Sequence, residues 1–394
     1  MIRPESWKGM RRFLQQESLV DVLRLIRSDN VGPVTFFNLM HQFGSARTAL
    51  DAIPDLAARG GTRKPMLCYT VKDAEKEIAA VEKLGARMVR FGDTDYPELL
   101  TAIYDPPPVF TVLGSAHIWK NRRTLAIVGS RNASASGFQF ARKIAADAGE
   151  KNLTVVSGLA RGIDTAAHTG SLATGTVAAM ASGIDQIYPP ENKGLYENIA
   201  KQEAVVTEQP FGMAPHSRSF PGRNRIISGM ALGTVVVEAS MKSGSLITAR
   251  FALDQDRDVF AVPGSPLDPR CKGTNNLLKQ GAVVCESIED VLQPLSRGEQ
   301  LTFHEQASGD FAAVAEAKHA SDSELAEARA LVTAKLGATA VSIDELLIQC
   351  QLTPSMLSLI LLELELAGRL QRHTGHKVSL ITEDYDALAS HSGN

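Results

Sequence analysis

The chain has few cysteines, no long apolar run and no surplus of either charge. Its 394 residues include four cysteines, Cys68, Cys271, Cys285 and Cys350, and no two of them stand in a C-x-x-C spacing. That speaks against a disulfide framework and a zinc knuckle, and it reads as four buried, reduced thiols in a reducing compartment. The opening residues, MIRPESWKGMRRFLQQ, lack the apolar centre of a secretory signal. The longest mostly apolar stretch, Ile226–Val237, is too short to cross a bilayer. The expectation is a cytoplasmic protein with no membrane partner. With 41 Lys and Arg against 44 Asp and Glu, the formal net charge is -3, so any affinity for a polyanion has to come from a local patch. No internal repeat of long period occurs. What remains is ordinary globular usage, 44% hydrophobic and 22% charged, in a chain long enough for two or three domains.

Between residues 124 and 287 strand-like and helix-like segments alternate. The strand candidates are TLAIVGS, LTVVSGLA, TVAAMASG, AVVTEQP, TVVVEAS, DVFAVPG and AVVCES. They are short, rich in Val and Ala, and apolar along their whole length, as strands covered on both faces are. Between the first two, Phe138, Ala141, Ile144, Ala145 and Ala148 recur at helical spacing. This alternation predicts an α/β core: an extended doubly wound, Rossmann-like parallel sheet with helices on both faces.

The flanks read differently. Residues 18–53 read as several short helices, and VGPVTFFNLMHQFGS within them faintly resembles a helix-hairpin-helix; because the second turn glycine is missing, a plain helical packing module is the preferred reading. Residues 96–115 are rich in proline and read as an extended entry to the core. After the core, residues 301–321 have no periodicity and read as a linker. From about Ser323 come a helix, a second opened by Ser342-Ile-Asp-Glu345 as a capping box, a third with Thr353 as N-cap and Pro354 behind it, and a short hairpin. Three helices and a hairpin make a winged helix. Its third helix carries Leu, Ile, Met, Glu363 and Glu365 and no cation before Arg369, a poor face for reading bases. Protein contact or packing fits it better, with weak phosphate contact left to Arg369, Arg372 and Lys377 of the hairpin. The domain boundaries expected are 1–95 for the helical module, 96–300 for the core, 301–321 for the linker, 322–383 for the winged helix and 384–394 for a tail.

In an open parallel sheet a ligand sits beyond the carboxyl ends of the strands. Gly and Ser recur at those ends: Gly129-Ser130-Arg131, Ser157-Gly158, Ser182-Gly183, Ser243-Gly244-Ser245 and Pro263-Gly264-Ser265. Small residues let backbone N–H groups approach an anion, and the following helix adds partial positive charge. One such turn is only a turn; five on one edge suggest an anion groove. The segment Phe211–Met230 adds Arg218, Arg223 and Arg225 with no acid among them, and Phe220 and Asn224 interleaved. Arginine forks phosphate and an aromatic face stacks on any base, the combination that holds single-stranded nucleic acid. Phe220 has a second reading, as an anchor in the core.

Catalytic readings fare worse. The second strand ends in Ser157-Gly158, where a dinucleotide site wants an acid for the ribose. The phosphate-loop motif G-x-x-x-x-G-K-[ST] does not occur. Asp164 and His168, four residues apart on a helix, read either as a catalytic pair or as packing residues bonded across one turn, and Glu238 either as a hydrolase acid or as an anchor for backbone amides. No catalytic set, metal site or cofactor site emerges.

The segments YPELL, DPPPVFTVLG, AIVGSR, VVSGLARGIDTAAH, FPGRNRIISGM, VVVEASMKSGSLITA, VFAVPG and GTNNLLKQGA, in this order from Tyr96 to Ala282, resemble the DNA-processing protein A family (DprA, also called Smf). The resemblance implies a protein of natural transformation that binds incoming single-stranded DNA, shares it with single-strand-binding protein, loads the RecA recombinase and forms a homodimer through the core. It implies no cofactor and no turnover. Carried over by motif, the DNA contacts are Gly129, Ser130, Arg131, Ser157, Gly158, Phe220, Arg223, Asn224, Arg225, Ser243, Gly244 and Ser245; Arg218 is added on charge alone. The core is also similar, more distantly, to phosphoribohydrolases, which makes a nucleotide-processing enzyme the alternative. Their P-G-G-x-G-T-x-x-E run is matched only by Gly233–Ala239, without the leading P-G-G and with Glu238 spaced differently.

Overall fold

The computed structural model describes residues 7–62, 65–120, 122–302, 322–373 and 375–381. The linker expected over 301–321 lies outside them apart from residues 301 and 302, and so does the tail. The described residues fall into two compact units: one holds 17–74 and 322–381, the other 7–16 and 75–302. In chain order the helices before the sheet are α1 (Trp7–Gln16), α2 (Leu19–Arg27), α3 (Pro33–Phe43), α4 (Ala46–Arg59) and α5 (Val71–Lys83). Then come β1 (Arg87–Arg90), α6 (Glu98–Thr101), β2 (Val109–Gly114), α7 (His117–Lys120), β3 (Arg123–Gly129), α8 (Ala135–Glu150), β4 (Leu153–Ser157), α9 (Ile163–Ser171) and β5 (Thr176–Ala179). The core closes with α10 (Lys193–Gln202), β6 (Ala204–Thr207), α11 (Ser219–Gly229), β7 (Gly233–Val237), α12 (Gly244–Asp254), β8 (Asp258–Ala261), α13 (Lys272–Lys279), β9 (Val283–Val284) and α14 (Ile288–Thr302). Among the described residues no single helix is long and apolar enough to cross a membrane.

The larger unit is built on a nine-stranded sheet in the order β1-β2-β6-β5-β4-β3-β7-β8-β9. From β6 to β9 all pairs are parallel; β1 and β2 are added antiparallel at one edge. β4, β5, β6 and β7 are buried at every position, as their unbroken apolar runs predict. Leu125, Ile127, Ile144, Val155, Val235 and Phe260 share one core between the sheet and α8, α9 and α14. Burying a side chain such as Ile127 fully is worth about 1.5–3 kcal/mol. The antiparallel edge departs from the wholly parallel sheet expected, and β1 and α1 lie in the stretch expected to be a separate helical module. Four residues, Arg87 to Arg90, are too few for alternation to show. α1 is tied to the core by Arg11, which pairs with Glu98 at 2.9 Å.

The smaller unit holds α2, α3 and α4 together with α15 (Asp322–Lys335), β10 (Val341–Ser342), α16 (Ile343–Cys350), α17 (Pro354–Leu366), β11 (Leu370–His373) and β12 (Lys377–Leu380). The hairpin β11–β12 is joined by β10 into a three-stranded sheet, one strand more than the sequence suggests. Thr353 caps α17, accepting from the Met356 N–H at 3.3 Å, whereas the Ser342 side chain makes no capping bond.

Candidate nucleic-acid interface

The strand order reverses at β3, which lies between β4 and β7. The turns after β3 and β7 lead to opposite sides there, while the turns after β3, β4 and β5 stand side by side beyond the carboxyl ends of their strands. The turn after β4 is held on all sides. Leu159 adopts a left-handed backbone with φ 56°, unusual for a branched side chain. Its N–H donates to His168 Nε2 at 3.3 Å, and its carbonyl accepts from Asn192 Nδ2 at 2.8 Å. The Ala160 N–H donates to Asp164 Oδ2 at 3.3 Å. Gly162, at φ 76°, closes the turn so tightly that a methyl group there would lie 2.3 Å from the Ser130 carbonyl. Because His168 Nε2 accepts, its Nδ1 carries the proton and faces Thr176 Oγ1 at 2.7 Å, while Thr176 donates to the Val155 carbonyl. Burial lowers the His168 pKa to about 3, so the ring is neutral. Asp164 and His168 thus fix backbone, each through its own bond. Glu238, at φ 53° after β7, does the same: it accepts from the Ser134 N–H at 2.9 Å and from the Ser134 hydroxyl, anchoring the first turn of α8.

A pocket with ≈ 420 Å³ of empty volume, open to solvent, lies beside this turn. Its walls include Arg131, Met180, Tyr188, Pro215, Phe220 and Arg223. The Arg131 guanidinium carbon lies 5.0 Å from the centre of the Phe220 ring, and that of Arg223 5.9 Å. Tyr188, exposed, meets Phe220 edge to face at 6.0 Å. Arg161 stands at the rim, 3.6 Å from Glu191. Two aromatic faces next to guanidinium groups suit a base and its phosphate. Among the described residues no group of three or more His, Cys, Asp or Glu side chains is placed to hold a metal ion.

The structure therefore brings Arg131, Gly158, Phe220 and Arg223 to one pocket. Other residues expected at a DNA surface have different work. Arg225 is buried; its Nε lies 3.1 Å from Asp105 and its Nη2 2.5 Å from Glu208. Burial works against its charge, and the two carboxylates together outweigh that and raise its pKa. Ser157 is fully buried, its hydroxyl donating to the Ile127 carbonyl at 2.6 Å. Gly158 is buried, and its carbonyl accepts from Arg223, which also donates to the Ala179 carbonyl at 2.8 Å. Burial lowers the Arg223 pKa to about 10, with Asp164 opposing the shift, so the guanidinium stays charged at neutral pH. Asn224 is buried, with Nδ2 3.3 Å from the Gly244 carbonyl at the start of α12. Ser243 caps that helix through the Ser245 N–H, and Ser245 is buried; Gly244 stays exposed. Gly129 and Ser130 end β3 half-buried, the Ser130 N–H donating to the Val237 carbonyl at 3.3 Å. Arg218 is exposed before α11. For the arginines the correction has a common cause: Asp105 and Asp164, remote in sequence, and Glu208, just ahead of the basic segment, meet Arg223 and Arg225 in space. Tyr188 is the residue the sequence reading misses; its only signal is an aromatic between turn residues.

A family model for DNA recombination-mediator protein A matches residues 87–296, more than half of the chain. The chain belongs to the DprA family. Further matches are a DprA-like N-terminal HHH domain over residues 16–80 and a DprA winged helix domain over residues 316–376. The first supports the helix-hairpin-helix resemblance of the α3 region over the plain packing module preferred from the sequence. The chain is 41% identical to the DNA processing protein DprA of Bacillus subtilis over 220 residues, 55% of this chain and 74% of that one. It is 39% identical to its Streptococcus pneumoniae counterpart over 242 residues, 60% and 85% of the two chains. The X-ray structure of the S. pneumoniae protein matches with a TM-score of 0.57 and 32% identity, covering 74% of this chain and 98% of that one. A structure of Helicobacter pylori DNA processing protein A, described for its single-stranded DNA binding mode, matches with a TM-score of 0.50 and 25% identity over 54% of this chain and 96% of that one.

Proposed function

We propose that this DprA-family chain binds single-stranded DNA in the pocket beside the β4–α9 turn, with little preference for sequence, and passes the strand to a recombinase. The observation that carries the reading is the convergence of Arg131, Arg161 and Tyr188, from the loops after β3, β4 and β5, with Phe220 of α11 at one pocket beyond the strand ends. An exposed cation supplies phosphate attraction, and the aromatic pair takes a base of any identity. The H. pylori relative's described binding mode and the recombination-mediator description of the family support it. RecA loading, sharing of the strand with single-strand-binding protein and a homodimer through the core belong to the same proposal. A dimer gives one strand two pockets and raises avidity without new contacts.

The test is equilibrium binding of a labelled single strand and of a duplex of equal length across a range of salt. The single strand is expected to bind more tightly. Arg131→Ala is expected to weaken it for every sequence and to reduce the slope of log affinity against log salt by about 0.7, one phosphate contact. A slope equal to the parent's removes Arg131 from the interface. Because His168 and Glu238 are both engaged in holding backbone, nucleoside monophosphates incubated with the protein are expected to release no free base; release would favour the phosphoribohydrolase-like alternative.

A further inference from the structure

We propose that α17, the third helix of the winged helix, is a docking helix for the N-terminal helices and is thereby withheld from nucleic acid. A duplex-reading third helix presents a face of cations and amides to the major groove. α17 has no cation, and its only exposed residues, Pro354, Ser355 and Ser358, lie in its first turns. Leu357, Ile360, Leu361 and Leu364 form one stripe and complete the core of the winged helix. Leu362, Glu363 and Leu366 are as deeply buried and lie outside that core. Leu362, Leu366 and the Glu363 backbone mark a second stripe, on the side where α3 and α4 pack, while the Glu363 side chain turns to Arg329 of α15.

Three contacts fix the second stripe. Gly60, just after α4, lies so close to α17 that a methyl group there would sit 2.0 Å from the Glu363 carbonyl oxygen and 2.8 Å from the Ala367 Cβ. Asn30 Nδ2 donates to the Leu366 carbonyl at 3.0 Å, across 336 residues of sequence. Arg369 Nη1 donates to the Gly60 carbonyl at 3.1 Å. The cations around α17 are engaged as well: Arg329 forks the Glu363 carboxylate at 2.7 and 3.1 Å, and Arg372 binds Glu365 at 3.0 Å. One helix therefore completes two cores, and the two ends of the chain form one body. Reading a duplex with α17 first requires pulling that body apart.

Amide hydrogen exchange on the full chain tests this with two variants. Asn30 has φ 58°, so Asn30→Gly keeps the backbone and removes only the bond to Leu366. Exchange in the last turns of α4 and of α17 is expected to accelerate together, by about fivefold for one hydrogen bond, while β3 and β7 stay unchanged. Gly60→Leu is expected to strip protection from both helices at once. Duplex DNA added to the parent is expected to leave α17 exchange as it was. Acceleration confined to one of the two helices in either variant overturns the proposal, and so does protection of α17 by duplex DNA.

Discussion

Arg131 lies exposed with its guanidinium 5.0 Å from the Phe220 ring centre, whereas Arg225 is enclosed between Asp105 and Glu208. The same side chain therefore has two different consequences when removed. Arg225→Ala leaves two partly buried carboxylates without their cation and is expected to destabilise the fold by about 1–3 kcal/mol, read as a lowered urea midpoint. An unchanged midpoint would mean that the triad is solvated and Arg225 free for other work. Arg131→Ala is expected to leave that midpoint alone and act only on DNA. Phe220 is half-buried, between the two readings its sequence allows. Phe220→Ala is expected to weaken single-strand binding by about 1–3 kcal/mol with the fold retained; equal affinity in the folded variant would make Phe220 a packing residue alone.

At the scale of elements, the turn between β4 and α9 shows how the pocket is kept in shape. Leu159 holds a left-handed conformation because His168 and Asn192 take its N–H and its carbonyl. His168 is neutral in the folded protein, with a pKa near 3, and ordinary, near 6.5, when unfolded. Below pH 6.5 the unfolded chain binds the proton and the folded one does not, so this contribution to stability is complete above pH 6.5 and falls as the pH drops toward 3. The slope is about 1.4 kcal/mol per pH unit for the one proton. Urea midpoints measured over that range are expected to show this component in the parent and to lose it in His168→Asn; an identical pH profile in the variant would contradict the assignment. The strands themselves were legible in the sequence, since β4 to β7 are buried at every position and β3 and β8 at all but their ends, and they read as apolar runs. β1, four residues long, was not. The winged helix was legible from its caps and helical spacing, but the second stripe of α17 was not, because a helix apolar on two sides looks the same whether one partner or two cover it.

The whole molecule carries a formal charge of -3, and its clearest basic segment in sequence, Phe211–Met230, is partly neutralised in space by Asp105, Asp164 and Glu208. Under the proposed function, attraction for DNA rests on a few exposed arginines at one pocket rather than on a broad positive field, and the linear pattern of arginines marks the region of the pocket better than it marks the residues that line it. The strand ends pointed to the edge of the sheet where the pocket lies; which amides and guanidinium groups remain available there depends on partners as far as 104 residues away, such as Glu238 for Ser134. The direct test is photo-crosslinking of a single strand carrying 5-bromouracil, with the modified peptides mapped by mass spectrometry. Crosslinks are expected at Tyr188 and Phe220 and in the flanking turn at Arg131. A map confined to the winged helix or the N-terminal helices, with the pocket peptides unmodified, would contradict the account.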